Sequence, residues 1–432
     1  MMQDTIPEGK WTRASIVGSA ALKVGLREVQ HKVKRPFLSA ERQQEAKQEV
    51  DDHNARQLFA ALTQLRGTAL KAAQMLSMEV ELLPERYRHE LEKSFHQVPP
   101  LNRVLVRKAI VDQFGKPPEY LFATFDSQAF AAASLGQVHA ATLPDGTPVA
   151  VKIQYPGIHV AMDNDMLLLR KLARGLPNAD IAQQSLLEIQ ARLREEVDYL
   201  HEAQATEWFR AHLALTGVSV PQVFAQWSGE RILTTQYLSG KHLDAWLATQ
   251  PSQAIRDKAA QHLYDTLVYS TRTLKRLHAD PNPGNYLFHD DGSVSLIDFG
   301  CVKQLSDTFV DTLPSLLNAF ARNDADAVFA AYRQLDMEHT AAPDDFYAKA
   351  LQPFGEWVSR PMQEETFDFG KHRDYTSQAR EIIQNLAKAS GLNKVADEFV
   401  FFDRTVYGLC KIFERMGAKV RIREHWIIEG TI

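Results

Sequence analysis

Cysteine is nearly missing from this chain. Only Cys301 and Cys410 occur among its 432 residues, too few for a disulfide framework, and neither stands in a C-x-x-C or Cys/His spacing that would hold zinc. No disulfide partner is expected, and the compartment should be reducing. Surplus positive charge is lacking too. The net charge is -5, whereas affinity for a phosphate backbone needs many clustered Lys and Arg, so nucleic acid is not expected as a partner. No window offers about 18 uninterrupted apolar residues, the length a spanning helix needs. The opening M-M-Q-D-T-I-P-E-G-K has no charged-then-apolar design, so a secretory signal is not expected. The expected location is cytoplasmic, with peripheral contact at the inner face of a membrane left open. What is present is ordinary for a globular protein with real cores: 45% hydrophobic and 24% charged residues. The length suits two or three domains, or one bilobal body with an extension.

Taken in order, residues 12–32 read as an amphipathic helix with Val17, Ala21 and Val24 on one side and Lys23, Arg27 and Lys32 around it, followed by Lys34 and Arg35. Such a segment suits either an anionic bilayer or simple docking with a solvated basic face. Over 52–78, Leu58, Leu62, Leu65, Ala69, Ala72 and Leu76 make one continuous apolar seam. Lys71 and Gln74 share a face beside it. Prolines at 84, 99 and 100 close this helical region. From Tyr120 the pattern becomes β-prone. Two runs, Ala129–Leu143 and Pro148–Gln154, flank Asp145-Gly146, a strong hairpin signal. The first begins with small residues, including Ala132, Ala133 and Ser134, which would let backbone N–H groups approach a phosphate. The second ends V-A-V-K-I-Q, placing Lys152 where a kinase lysine meets phosphates.

A helix is predicted over 185–208, on the line Ile189, Leu193, Val197, Leu200 and Gln204. It gathers Glu195, Glu196, Asp198 and Glu202. Asp198 and Glu202, four apart, would repel on a bare helix, and Lys152 and Lys71 are candidate cationic partners. Arg231–Gln236 reads as a strand, after which the chain turns helical from Leu243. Adenine is expected to bind at this crossing through backbone groups, at Gln236 and Leu238. A helix over 255–277 then leads to H-A-D-P-N-P-G-N at His278–Asn285, and Asp291-Gly292 is a hairpin that should return I-D-F-G at Ile297–Gly300 beside Asn285. Mg²⁺ takes oxygen ligands and usually only one or two protein carboxylates. Asn285 and Asp298 suit that role, leaving Asp280 to accept a proton or orient a nucleophile, the division of labour in H-R-D-x-x-x-x-N and D-F-G of protein kinases. Beyond Gly300 short amphipathic helices are predicted, with later ones near 377–390 and 397–416.

The ordered motifs L-K-A-A-Q-M-L-S (Leu70–Ser77), A-A-A-S-L-G-Q-V-H (Ala131–His139), V-A-V-K ending at Lys152, E-V-D (Glu196–Asp198), H-A-D-P-N-P-G-N and D-F-G resemble those of the UbiB/AarF family of atypical kinases, which includes the coenzyme Q biosynthesis kinase-like proteins. The resemblance implies that Lys152 contacts nucleotide phosphates and pairs with Glu202, and that Lys71 and Gln74 belong to a helical extension over the active cleft, with Glu196 of E-x-D meeting Lys71. It also implies Mg²⁺ on Asn285 and Asp298 and Asp280 as the catalytic aspartate. The chain departs from the family pattern at Ala73, where the family has glycine, at Asn282, where histidine is common, and at Gln236, where a hinge glutamate is frequent. Relative to ordinary protein kinases, Ala279 replaces the arginine of H-R-D and no A-P-E follows D-F-G, so activation-loop control is not expected.

The expected fold is α+β and kinase-like, with an N-terminal helical extension (1–118), a β-rich N-lobe (119–236) and a helical C-lobe (237–432). The leading expectation is a Mg²⁺- and ATP- or ADP-binding atypical kinase or ATPase acting in ubiquinone or other isoprenoid-lipid metabolism, with a small phenolic or lipid substrate. A nucleotide-switched module binding membranes or partner enzymes is the alternative. Ser/Thr protein kinase activity is the third.

Overall fold

The computed structural model describes residues 102–427, apart from 134, 174–178, 340–345 and 389–391, together with Ser15, Gly18, Ser19, Arg42, Gln43 and Val50. The helices expected over 12–32 and 52–78, with Lys71 and Gln74, and the candidate phosphate-loop residue Ser134 lie outside the described residues. The chain forms two compact units, one of residues up to 201 with 223–237, the other of 202–222 with 238–432.

Helix α1 (Arg103–Phe114) opens at Asn102, whose side chain accepts the Val104 N–H at 2.7 Å, and closes at Gly115 with φ +68°. Strands β1 (Thr124–Phe125), β2 (Ala131–Ala133), β3 (Gly136–Thr142) and β4 (Pro148–Gln154) follow. Helices α2 (Ile158–Ala173), α3 (Ala179–Glu196) and α4 (Tyr199–His212) come next, then β5 (Val218–Ser219) and β6 (Ile232–Gln236). In the first unit β1, β3, β4 and β6 pair in that order, with β2 also on β3, giving a five-stranded antiparallel sheet. The β3–β4 hairpin turns at Asp145-Gly146, where Gly146 adopts φ +91°.

Alternation along β4 puts Val149, Val151 and Ile153 on one face, buried against Val106 and Ile110 of α1 and Ile232 of β6. His139 and Gln137 share that buried face. The His139 Nδ1–H donates to the Asp126 carbonyl at 2.8 Å and Nε2 accepts from Gln137 Nε2 at 2.8 Å. Burial pushes the imidazole below its ordinary value, so the ring is held neutral.

The single helix expected over 185–208 is instead two, broken at Val197–Asp198. The buried Gln154 side chain of β4 donates to the Val197 carbonyl at 2.6 Å, drawing that oxygen away from the helical ladder. Asp198 then accepts the His201 N–H at 3.0 Å and starts α4. The like-charge penalty expected between Asp198 and Glu202 therefore does not arise within one helix body. Both carboxylates instead stand at the start of α4, where the helix dipole favours negative charge.

The second unit continues with α5 (Leu243–Ala248), α6 (Gln253–Arg272), β7 (Arg276–His278), β8 (Tyr286–Phe288), β9 (Val294–Leu296) and β10 (Val302–Gln304). Helices α7 (Asp307–Ala321), α8 (Ala325–Gln334), α9 (Gln352–Ser359), α10 (Tyr375–Lys388) and α11 (Asp397–Met416) follow, with short strand pairs and a last helical turn at Arg423–Trp426 among and after them. The helix expected to reach Leu277 stops at Arg272, because Lys275 turns the chain with φ +51° and Arg276–His278 pair antiparallel with β10. β8 and β9 form a hairpin, with Gly292 of its Asp-Gly turn at φ +81°, and β5 runs parallel to β9. Phe209, Trp246, Phe288, Phe299, Phe309 and Phe413 fill this unit's core.

Candidate active site

In the second unit two chain stretches are locked side by side. β7 ends at His278, whose Nε2–H donates to the Asp298 carbonyl at 2.6 Å, and the next amide, Ala279 N–H, donates to the Cys301 carbonyl at 2.9 Å. The loop beyond is stiffened by Pro281 and Pro283, which fix φ. Asn282 accepts the Gly284 N–H at 2.9 Å and thereby caps a single 3₁₀ turn over Pro283–Asn285. Asn285 is presented by that turn, and its carbonyl accepts the Ile297 N–H at 3.0 Å. This is the return delivered by the Asp291-Gly292 hairpin.

The side chains converge. Asn285 Nδ2–H₂ donates to Asp280 Oδ2 at 2.8 Å and to the Asp280 carbonyl at 3.2 Å. Asp298 Oδ1 accepts the Gly300 N–H at 3.0 Å. A Cβ built on Gly300 would stand 3.3 Å from Asp298 Oδ1 and 3.8 Å from Glu202 Oε2, so the buried Glu202 carboxylate faces the same short segment. Burial, with the charge of Asp280 adding to it, pushes the Tyr286 phenol up and keeps that hydroxyl neutral. The donor set fits a hard divalent cation: with its NH₂ turned to Asp280, Asn285 offers an amide oxygen, and Asp298 offers a carboxylate.

In the first unit Lys152 lies in mid-β4, between Val138 of β3 and Leu233 of β6. Its Nζ sits 4.9 Å from the Tyr199 ring centroid, a cation–π contact. Two residues on, Gln154 makes the bond to Val197 already described, so Glu196 and Asp198 flank an anchor to the strand that bears Lys152. Ala132 pairs with Gln137 and Ala133 with Gly136, and a Cβ on Gly136 would collide with the Ile153 carbonyl oxygen. Gln236 ends β6 opposite Val149 and is exposed. Leu238 follows in the second unit, half-buried. Three contributors escape sequence reasoning: Tyr199, Gln154 and the capping role of Asn282. Only Asn282 carries a local signal, since an Asn two residues before Gly is a turn-former.

An antiparallel sheet with a mid-strand lysine, and a loop joining an aspartate and asparagine to a D-F-G carboxylate, define a kinase-like enzyme of the phosphotransferase class. Residues 93–332 match the ABC1 atypical kinase-like domain, and the chain belongs to that family. The resemblance to the UbiB/AarF atypical kinases is borne out. The chain is 30% identical over 375 residues to "Atypical kinase COQ8B, mitochondrial" of Rattus norvegicus, covering 84% of this chain and 70% of that protein. It is 27% identical over 380 residues to "Atypical kinase COQ8, mitochondrial" of Saccharomyces cerevisiae, covering 86% and 75%. "Protein ACTIVITY OF BC1 COMPLEX KINASE 1, chloroplastic" of Arabidopsis thaliana is 33% identical over 273 residues, 60% of this chain and 39% of that protein. Among solved structures, the Rv3197–erythromycin complex from Mycobacterium tuberculosis superimposes with a TM-score of 0.60 at 25% identity, over 88% of this chain and 97% of that one.

Proposed function

We propose that the protein is a Mg²⁺- and ATP-dependent atypical kinase or ATPase that supports ubiquinone or another isoprenoid-lipid pathway. The observation that carries this reading is the Asp280–Asn285 contact, closed at 2.8 Å beside the Asp298 turn. In this reading Asn285 and Asp298 hold Mg²⁺, which when bound supplies neutralising charge at the transferring phosphoryl group. Asp280 orients the attacking hydroxyl or water and accepts its proton. Lys152 meets the phosphates and pairs with Glu202. Ala132, Ala133 and Ser134 approach the phosphates with backbone N–H groups, and Gln236 and Leu238 meet adenine. Lys71 and Gln74, on the helical extension assigned to residues 1–118, approach Glu196 and Asp198 and regulate access. No described helix is long and apolar enough to cross a membrane. The membrane contact proposed is peripheral, and the small-molecule substrate a phenolic quinone precursor or lipid.

One assay tests the reading: phosphate release by the purified protein with Mg-ATP, with and without anionic liposomes and phenolic quinone precursors. Stimulation by lipid or phenol is expected. An Asp298→Asn variant that kept both turnover and Mg²⁺-dependent nucleotide binding would sink it.

A further inference from the structure

Arg404 and Gly408 stand four apart on α11 and therefore share one face of that helix. That face meets the loop bearing Asp280 on both sides of the aspartate. Arg404 Nη2 donates to the Ala279 carbonyl at 2.7 Å. The same nitrogen lies 3.9 Å from Cys301 Sγ, just past the D-F-G turn, and the guanidinium packs 5.6 Å from the Phe401 ring centroid. At Gly408 a Cβ would collide with the Pro281 ring, so the proline sits directly on the helix backbone. Ala279 is fully buried, and its N–H is already held by the Cys301 carbonyl. Its two backbone groups are thus tied to two different elements, one of them through a charged donor, which makes a stronger bond than a neutral one.

We infer that α11 is the platform that positions Asp280, with Arg404 and Gly408 as positioning residues acting through the Ala279 carbonyl and the Pro281 ring. Position 279 is alanine, where ordinary protein kinases place the arginine of H-R-D in the loop itself. Here the guanidinium reaches the loop from 125 residues further along the chain, on a helix outside the matched segment 93–332. Because Ala279 offers only its backbone, the contact survives any side chain of similar size at 279 and depends on the shape of α11.

The consequence for turnover rests on the proposed role of Asp280, so the experiment has two arms. Amide hydrogen exchange of the full chain is compared for the parent, Arg404→Gln, Arg404→Lys and Gly408→Ala. Phosphate release from Mg-ATP is measured on the same proteins and on Asp280→Asn. Arg404→Gln and Gly408→Ala are expected to speed exchange about tenfold or more over 279–285, leaving the rest of the second unit unchanged. They should also lower kcat on the order of ten- to a hundredfold while KM for Mg-ATP stays within about twofold. Arg404→Lys, which keeps one charged donor, is expected to recover part of both. Unchanged exchange over 279–285, or an equal rise across the whole second unit, overturns the platform. If Asp280→Asn turns over like the parent, the reading of Asp280 fails instead, and a local rise in exchange still upholds the platform.

Discussion

Asn285 donates its side-chain amide at 2.8 Å to Oδ2 of Asp280, only five positions earlier in the chain. The bond orients both groups. An amide has one acceptor end and one donor end, so committing the NH₂ to Asp280 turns the oxygen of Asn285 toward whatever cation the site holds. At the same time the aspartate is fixed by a partner that can only donate to it.

Asp280→Asn preserves this bond, since an asparagine oxygen at 280 still accepts from Asn285, but it removes the proton acceptor. Turnover should fall by about 10²–10⁴-fold, the usual worth of a general base, while Mg²⁺-dependent nucleotide binding stays intact. Steady-state phosphate release together with ADP binding by calorimetry checks both halves. Equal loss of binding and turnover would argue instead for a ligand role.

Asp298→Asn and Asn285→Ala should each remove the Mg²⁺-dependent part of nucleotide stabilisation. ADP at about a hundred times its Kd contributes about 2.7 kcal/mol, which in a unit of this size is a rise of several degrees in Tm at about 2–4 °C per kcal/mol. Thermal unfolding with ADP, with Mg²⁺ or with EDTA, reads this directly. The parent should lose the rise in EDTA, and the variants should show none in either buffer.

Some of this site is legible in the sequence because its determinants are local. Asp145-Gly146 and Asp291-Gly292 announce their hairpins, and both glycines take the left-handed conformation that the turn requires, at φ +91° and +81°. The return of Asp298 to Asn285 follows from the second of them. The break at Val197–Asp198 is not legible, because Ile189, Leu193, Val197 and Leu200 continue helical spacing straight through it. What breaks the helix is Gln154, 43 residues earlier. The grip of Arg404 on Ala279 is hidden for the same reason: a helix at 397–416 is predictable from its periodicity, but which carbonyl its arginine meets is decided by tertiary packing.

Gly136→Ala should destabilise the first unit. The added Cβ runs into the Ile153 carbonyl oxygen and toward the Tyr199 hydroxyl, and backbone cannot give way as a flexible side-chain tip does. Overpacking of this kind costs about 1–3 kcal/mol. Urea unfolding followed by tryptophan emission should show a lower midpoint, and a midpoint equal to the parent's would mean that β3 and β4 separate without penalty.

Asp403, on α11 and one residue from Arg404, gives the fold a pH dependence of definite sign. Burial pushes its carboxyl up to about 6 from an ordinary 3.8, and its charge bears on Tyr332, Tyr375 and Cys410 nearby. Below pH 3.8 the folded and unfolded chains both hold this proton. Between 3.8 and about 6 the unfolded chain releases it while the folded chain keeps it, so stability falls as pH rises through that window. Above it both are charged and the loss is complete, worth about 1–3 kcal/mol with partial exposure taken into account. Asp403→Asn cannot titrate. It should therefore gain stability over the parent at pH 7.5 relative to pH 4.5, both pH values lying about one unit or more from the folded carboxyl's midpoint. Urea midpoints of parent and variant at the two pH values decide it, since titrations shared by both proteins cancel in the difference. A gap between the two proteins that does not widen toward neutral pH would show that Asp403 is solvated in the folded state and carries no such dependence.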